Sequence, residues 1–130
     1  MRLLLDTHVA IWAVLGDARL APQTSRLLLD DANAVFVSPV TLWEIAVKRR
    51  MMRKTSSMPL SCDQALEAFR EARFEFLPVT PEHAAAVERL PMHHCDPFDH
   101  LLLAQALTEP MRLVTHDAWL ASYDDTVIRV

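Results

Sequence analysis

Short apolar runs alternate along this chain with stretches whose apolar residues recur at helical spacing. Leu3 to Leu5 is a first candidate strand, and a helix is expected from about Val9 to Leu15. Pro22 to Asp31 reads as a second helix with Leu27 and Leu28 facing inward. Val35 to Val37 is a second strand, after which Ser38-Pro39 supplies an N-cap hydroxyl and a proline at the first helical position. The helix so opened carries Val40, Trp43, Val47 and Met51 at helical spacing, which predicts an inward stripe. Ser61 and Gln64 form a capping box for a helix towards Ala72. A third strand is expected from Phe76 to near Val79. Thr80-Pro81 and Asp96-Pro97 repeat the cap-and-proline signature, the first opening a helix to about Leu90 and the second one through Phe98 to Thr108. Arg112 to Thr115 and Val127 to Val130 are the last strands, with a short helix between them.

Strands that alternate with helices imply parallel pairing through right-handed crossovers. The expected fold class is α/β, a three-layer α/β/α sandwich around a small central parallel sheet. A chain of 130 residues, 52% of them hydrophobic, fills one core, so a single domain over 1–130 is expected. One glycine, Gly16, cannot build a dinucleotide fingerprint or a phosphate-cradling loop, which excludes nucleotide chemistry of those types. Cys62 and Cys95 form no CxxC pair and are expected as reduced thiols. Asp6 comes too early for a signal peptide, and no apolar run reaches membrane-spanning length, so a cytoplasmic protein with no membrane partner is expected. The net charge of -4 does not exclude a nucleic-acid partner, because Lys48, Arg49, Arg50, Arg53 and Lys54 place five cations in seven residues. Such a stretch is most often a solvated helix end.

Ligands of open parallel sheets bind beyond the carboxyl ends of the strands. Asp6 directly follows the first strand, Asp117 lies two residues past Thr115, and Glu44 rides on the helix leaving the second strand. Each has a plain structural alternative. Asp6 is placed to cap the first helix, Glu44 to pair with Lys48 one turn on, and Asp117 to cap the last helix. Asp99 opens a helix that continues Leu101-Leu102-Leu103-Ala104, so its charge stands at the entrance of a buried element. Asp96, before Pro97, reads first as the N-cap of that helix. Carboxylates gathered at such junctions suit a hard divalent cation. His93-His94-Cys95 does not make a zinc site, because adjacent residues rarely converge on one tetrahedral ion. His8, His100 and His116 neighbour acids, which leaves open a contact to substrate phosphate, but they read first as ordinary loop or helix residues; Trp12, Trp43 and Trp119 read as core.

These four acids, in this order and spacing, resemble PIN-domain nucleases. Leu5-Asp6-Thr7-His8, Ser38-Pro39-Val40-Thr41-Leu42-Trp43-Glu44-Ile45 and Asp96 through Ala106 are similar to VapC-type toxin ribonucleases, and the resemblance covers nearly the whole chain. It implies an endoribonuclease dependent on Mg²⁺ or Mn²⁺, an RNA substrate, a cognate antitoxin protein that blocks the site, and a homodimer. The family's acidic quartet falls on Asp6, Glu44, Asp99 and Asp117, with Asp96 an accessory acid and Thr115 a hydrogen-bonding partner near the last acid. Asp6 and Asp99 are expected to hold the principal ion, with Glu44 and Asp117 completing the site through water or a second ion. The rival reading is a non-catalytic PIN-like module that binds protein or RNA. An aspartate-nucleophile phosphatase would want a second acid at position 8, where His8 stands, and a receiver domain would want one in Leu77-Pro78-Val79.

Overall fold

The computed structural model describes residues 1–51, 58–91 and 96–130. Five strands, β1 (Arg2–Leu5), β2 (Ala34–Val37), β3 (Glu75–Phe76), β4 (Arg112–Thr115) and β5 (Ile128–Arg129), form one sheet in the order β3-β2-β1-β4-β5. Every pairing is parallel. The helices are α1 (Thr7–Leu15), α2 (Pro22–Leu29), α3 (Pro39–Met51), α4 (Cys62–Glu71), α5 (Pro81–Ala86), α6 (Pro97–Thr108) and α7 (Ala118–Ala121), and a 3-10 turn, Val87–Arg89, follows α5. None of the described helices is long and apolar enough to cross a membrane.

The central strands are largely apolar, their arginines confined to the first positions of β1 and β4, because both faces of the sheet are covered. Leu3, Leu5, Val35, Val37 and Val114 point to one core, where α1 and α4 pack through Ile11, Trp12, Ala65 and Phe69. Leu4, Phe36 and Leu113 point to the other, against Leu102, Leu103 and Ala106 of α6 and Leu120 of α7. Helix α3 serves both layers, giving Ile45 to the first and Val40 to the second. The expected three-layer sandwich is therefore the observed one.

Local signals set the element ends. Ser61 caps α4 in a reciprocal box with Gln64, and Thr80 does the same for α5 with His83 in the third position. Gly16 ends α1 at φ 63°, a left-handed conformation that an L side chain rarely adopts. The third strand lies earlier than expected, at Glu75–Phe76, and the helix after Thr80 tightens to a 3-10 turn at Val87. Helix α1 starts at Thr7 rather than Val9.

The apolar stripe expected on α3 is corrected. Its buried residues are Val40, Thr41, Glu44 and Ile45, whereas Trp43 is 52% and Met51 77% exposed. Trp119 is also exposed, and of the three tryptophans only Trp12 is core. The helix has rotated because Glu44 finds partners inside, as the site geometry shows. Cys62 is a free thiol. Arg53, Lys54, His93, His94 and Cys95 lie outside the described residues.

Candidate active site

Strand order reverses direction beside β1. The chain moves outward from β1 to β2 and β3, then crosses back to β4 on the other side of β1. That reversal opens a crevice at the carboxyl ends of β1 and β4, the usual ligand position in such sheets. A cavity of about 330 Å³ lies there, lined by Asp6, His8, Trp12, Glu44, Lys48, Asp96, Asp99, His116 and Asp117. All five acids singled out in the sequence thus border one space. A larger cavity, about 730 Å³, is lined by mostly apolar residues with Arg2, Arg112 and a single acid, Asp124.

Asp6 ends β1 and occupies the N-cap position of α1, yet its carboxylate makes no cap bond. Its Oδ2 instead accepts from the Thr115 hydroxyl at 2.6 Å, and Asp6 is almost fully buried. The same Thr115 oxygen accepts from the Asp117 backbone N–H at 3.0 Å. One hydroxyl at the end of β4 therefore ties the two strand-end acids together. Asp117 also caps α7, with Oδ1 accepting from the Trp119 N–H at 2.7 Å, so the capping alternative holds for it alongside its place in the cavity.

Glu44 is 2% exposed. Its Oε1 accepts from the Thr7 hydroxyl at 2.7 Å, and its Oε2 from Lys48 Nζ at 2.6 Å. Thr7 Oγ1 also lies 3.1 Å from Thr41 Oγ1, so α1 and α3 meet here through a buried polar seam. A carboxylate tolerates such burial only with partners of this kind. Asp96 caps α6, accepting from the Phe98 and Asp99 N–H groups at 2.9 and 3.3 Å. Asp99 stands at the third helical position and is 8% exposed.

Crowding of like charge marks the site electrostatically. Burial first, then the charges of Asp6, Asp96, Glu44 and Asp117, push the Asp99 carboxyl up to about 8. Burial likewise raises Asp6, and Glu44 adds to it, against the lowering effect of the Thr115 bond and of His8. Among the described residues no three His, Cys, Asp or Glu side chains converge closely enough to hold an ion by themselves. The donors facing the cavity are mainly oxygens, and magnesium is ordinarily held by one or two carboxylates with several retained waters. The donor set fits such an ion.

The histidines divide. His8 and His116 border the cavity, flanking Trp12 at ring separations of 6.1 and 5.3 Å. His116 also donates through Nδ1 to the Val130 carbonyl at 2.7 Å. His8 lies on α1 and His116 in the loop after β4, as expected of a helix and a loop residue, and each stands near an acid in the sequence. His100 is buried near Tyr123 instead. Trp12 and Lys48 are the other cavity residues that residue pattern alone did not single out for the site.

The sequence profile of the PIN domain matches residues 3–125. The chain is 31% identical over 123 residues to Ribonuclease VapC22 of Mycobacterium tuberculosis (strain ATCC 25618 / H37Rv), spanning 92% of this chain and 90% of that protein. Among solved structures it is similar to VapBC2 from Rickettsia felis bound to a promoter DNA fragment, with a TM-score of 0.69 at 17% identity over 100% of this chain and 98% of that one. It is also similar to VapBC-5 from Mycobacterium tuberculosis, a member of the VapBC family of toxin-antitoxin systems. There the TM-score is 0.62 at 26% identity, over 99% and 98% of the two chains.

Proposed function

The chain belongs to the PIN-domain family, among its VapC-type toxin ribonucleases, and from that premise we propose that it is a metal-dependent endoribonuclease. The observation that carries this reading is the gathering of Asp6, Glu44, Asp96, Asp99 and Asp117 around one cavity at the strand reversal. Asp6 and Asp99 would hold a Mg²⁺ or Mn²⁺ ion, and Glu44 and Asp117 would complete the site through water or a second ion. When bound, such an ion neutralises charge on the scissile phosphate and lowers the pKa of water. The protein's own contribution is placement. Thr115 fixes the Asp6 carboxylate and joins it to the backbone before Asp117. Thr7 and Lys48 hold Glu44 by one oxygen each, leaving further lone pairs for water. Asp96 fixes the first turn of α6, and with it the position of Asp99.

The cognate partner is an antitoxin protein that covers this cavity; support comes from the VapBC toxin-antitoxin assemblies among the similar structures. A homodimer, which the family resemblance implies, belongs to the same proposal. The test is to induce the wild-type chain and Asp99→Asn separately in cells and map new RNA 5′ ends. Discrete ends with wild type alone are expected. Equal cleavage by Asp99→Asn or Asp6→Asn would sink the assignment of those acids. Soluble wild type that gives no new ends and binds no Mn²⁺ would favour a non-catalytic module.

A further inference from the structure

Lys48 stands among the carboxylates, where its one role so far is to hold an oxygen of Glu44. It is the one Lys or Arg that lines the cavity among the described residues. Its Nζ donates to Glu44 Oε2 at 2.6 Å, and its side chain remains 30% exposed. A long cation near the end of a helix ordinarily runs its stem along the surface and leaves its head in water. Here the ammonium turns inward to a carboxylate that is itself buried. A solvated i,i+4 pair has no need of that burial, nor of Thr7 holding the opposite oxygen of the same carboxylate. Glu44 is braced on one side and presents its charge to Lys48 on the other.

The ammonium brings a cation into a space whose acids repel an RNA phosphate. One divalent ion leaves much of the surrounding negative charge in place. An ammonium has three donors, of which Glu44 takes one, so donors remain for a second anion.

We propose that Lys48 is a catalytic residue that contacts substrate, its ammonium holding a non-bridging oxygen of the scissile phosphate, with Glu44 as the positioning residue that aims it. The proposal rests on the nuclease reading above. It differs from a second possibility, that Lys48 is a tethered cation lodged where the metal goes. A tenant of that kind competes with the ion, so its removal tightens Mn²⁺ binding; a phosphate ligand does not.

The experiment measures cleavage of the RNA mapped with wild type, at saturating Mn²⁺, together with Mn²⁺ titration of each purified protein. The variants are Lys48→Met, Lys48→Gln and Lys48→Arg. Lys48→Gln keeps a neutral donor for the Glu44 carboxylate and covers the case in which Lys48→Met fails to fold. Loss of one preorganised donor to a reacting phosphate predicts a fall of roughly 100-fold in kcat/KM for Lys48→Met, with Lys48→Gln between it and wild type. The fall should persist at saturating Mn²⁺, with Mn²⁺ affinity of Lys48→Met near wild type, and Lys48→Arg should recover part of the rate. Wild-type rates in Lys48→Met or Lys48→Gln would overturn the proposal. So would Mn²⁺ binding at least about tenfold tighter in Lys48→Met with cleavage restored or raised, a tenfold change being about 1.4 kcal/mol. Wild type that cleaves no RNA counts against the nuclease reading itself and removes this proposal with it.

Discussion

Replacing Asp99 by Asn should stabilise the metal-free protein, and by an amount that depends on pH. Asp99 is 8% exposed and shares its cavity with four other acids. Its carboxyl is pushed from 3.8 to about 8. Between those values the unfolded chain ionises this group while the folded chain keeps its proton. The native state then binds more protons, so the free energy of unfolding falls as pH rises through this window. Near pH 7 the unfolded carboxyl is about three units above its pKa, and at 1.36 kcal/mol per unit the folded state forgoes about 4 kcal/mol. Asn carries no proton to lose and fills nearly the same volume. Asp99→Asn should therefore gain up to about 4 kcal/mol near pH 7 and only about 0.5 kcal/mol near pH 4. Urea unfolding in EDTA, followed by the fluorescence of buried Trp12, measures both values. An Asn variant no more stable than wild type near neutrality, or a gain that ignores pH, would refute the argument from crowded carboxylates.

Metal binding should release protons, because Asp6 and Asp99 both have raised pKa values without the ion; Mn²⁺ affinity should rise from about pH 6 to about pH 8, and calorimetry in buffers of different ionisation enthalpy checks it. Thr115→Val removes the bridge between Asp6 and the Asp117 N–H; it should cost about 1–3 kcal/mol of stability and weaken Mn²⁺ binding, read by denaturation and titration. Ser61→Ala breaks the capping box of α4, far along the chain from the acids, and should cost about 1 kcal/mol while leaving RNA cleavage unchanged. Leu103→Ala empties a fully buried position of α6 and should cost roughly 2–5 kcal/mol by urea midpoint.

Much of this fold is legible because its signals are local. The caps at Ser61, Thr80 and Asp96 each name a helix start by one side chain, and all three bond as the residue types demand. The acid positions at Asp6 and Asp117 are legible for a topological reason, since a residue that ends a parallel strand has only one rim on which to stand. Helix α3 was not legible, and the failure is instructive. Periodicity assumes that apolar residues face inward and polar ones outward, whereas here Glu44 turns inward to Thr7 and Lys48, and Trp43 turns out against Phe98 at 4.7 Å. Sites break the pattern that cores obey. Likewise His83 and Gln105 are fully buried polar residues on α5 and α6. Their partners, Glu109 Oε2 for His83 at 2.5 Å and the Leu77 carbonyl for Gln105 at 3.2 Å, lie too far along the chain for any local window to anticipate.

The hydrogen bond from Thr115 to Asp6 spans 109 positions of sequence, and β1, the earliest of the five described strands, waits for β4 to cover its second edge. Contacts of such separation form late, because the intervening chain must first close its loop. During synthesis the first acid is therefore extruded long before the hydroxyl that fixes it or the last acid that joins it. The cavity cannot assemble on a nascent chain until nearly all of these residues have emerged. The site is incomplete on any nascent chain from which Asp117 has yet to emerge.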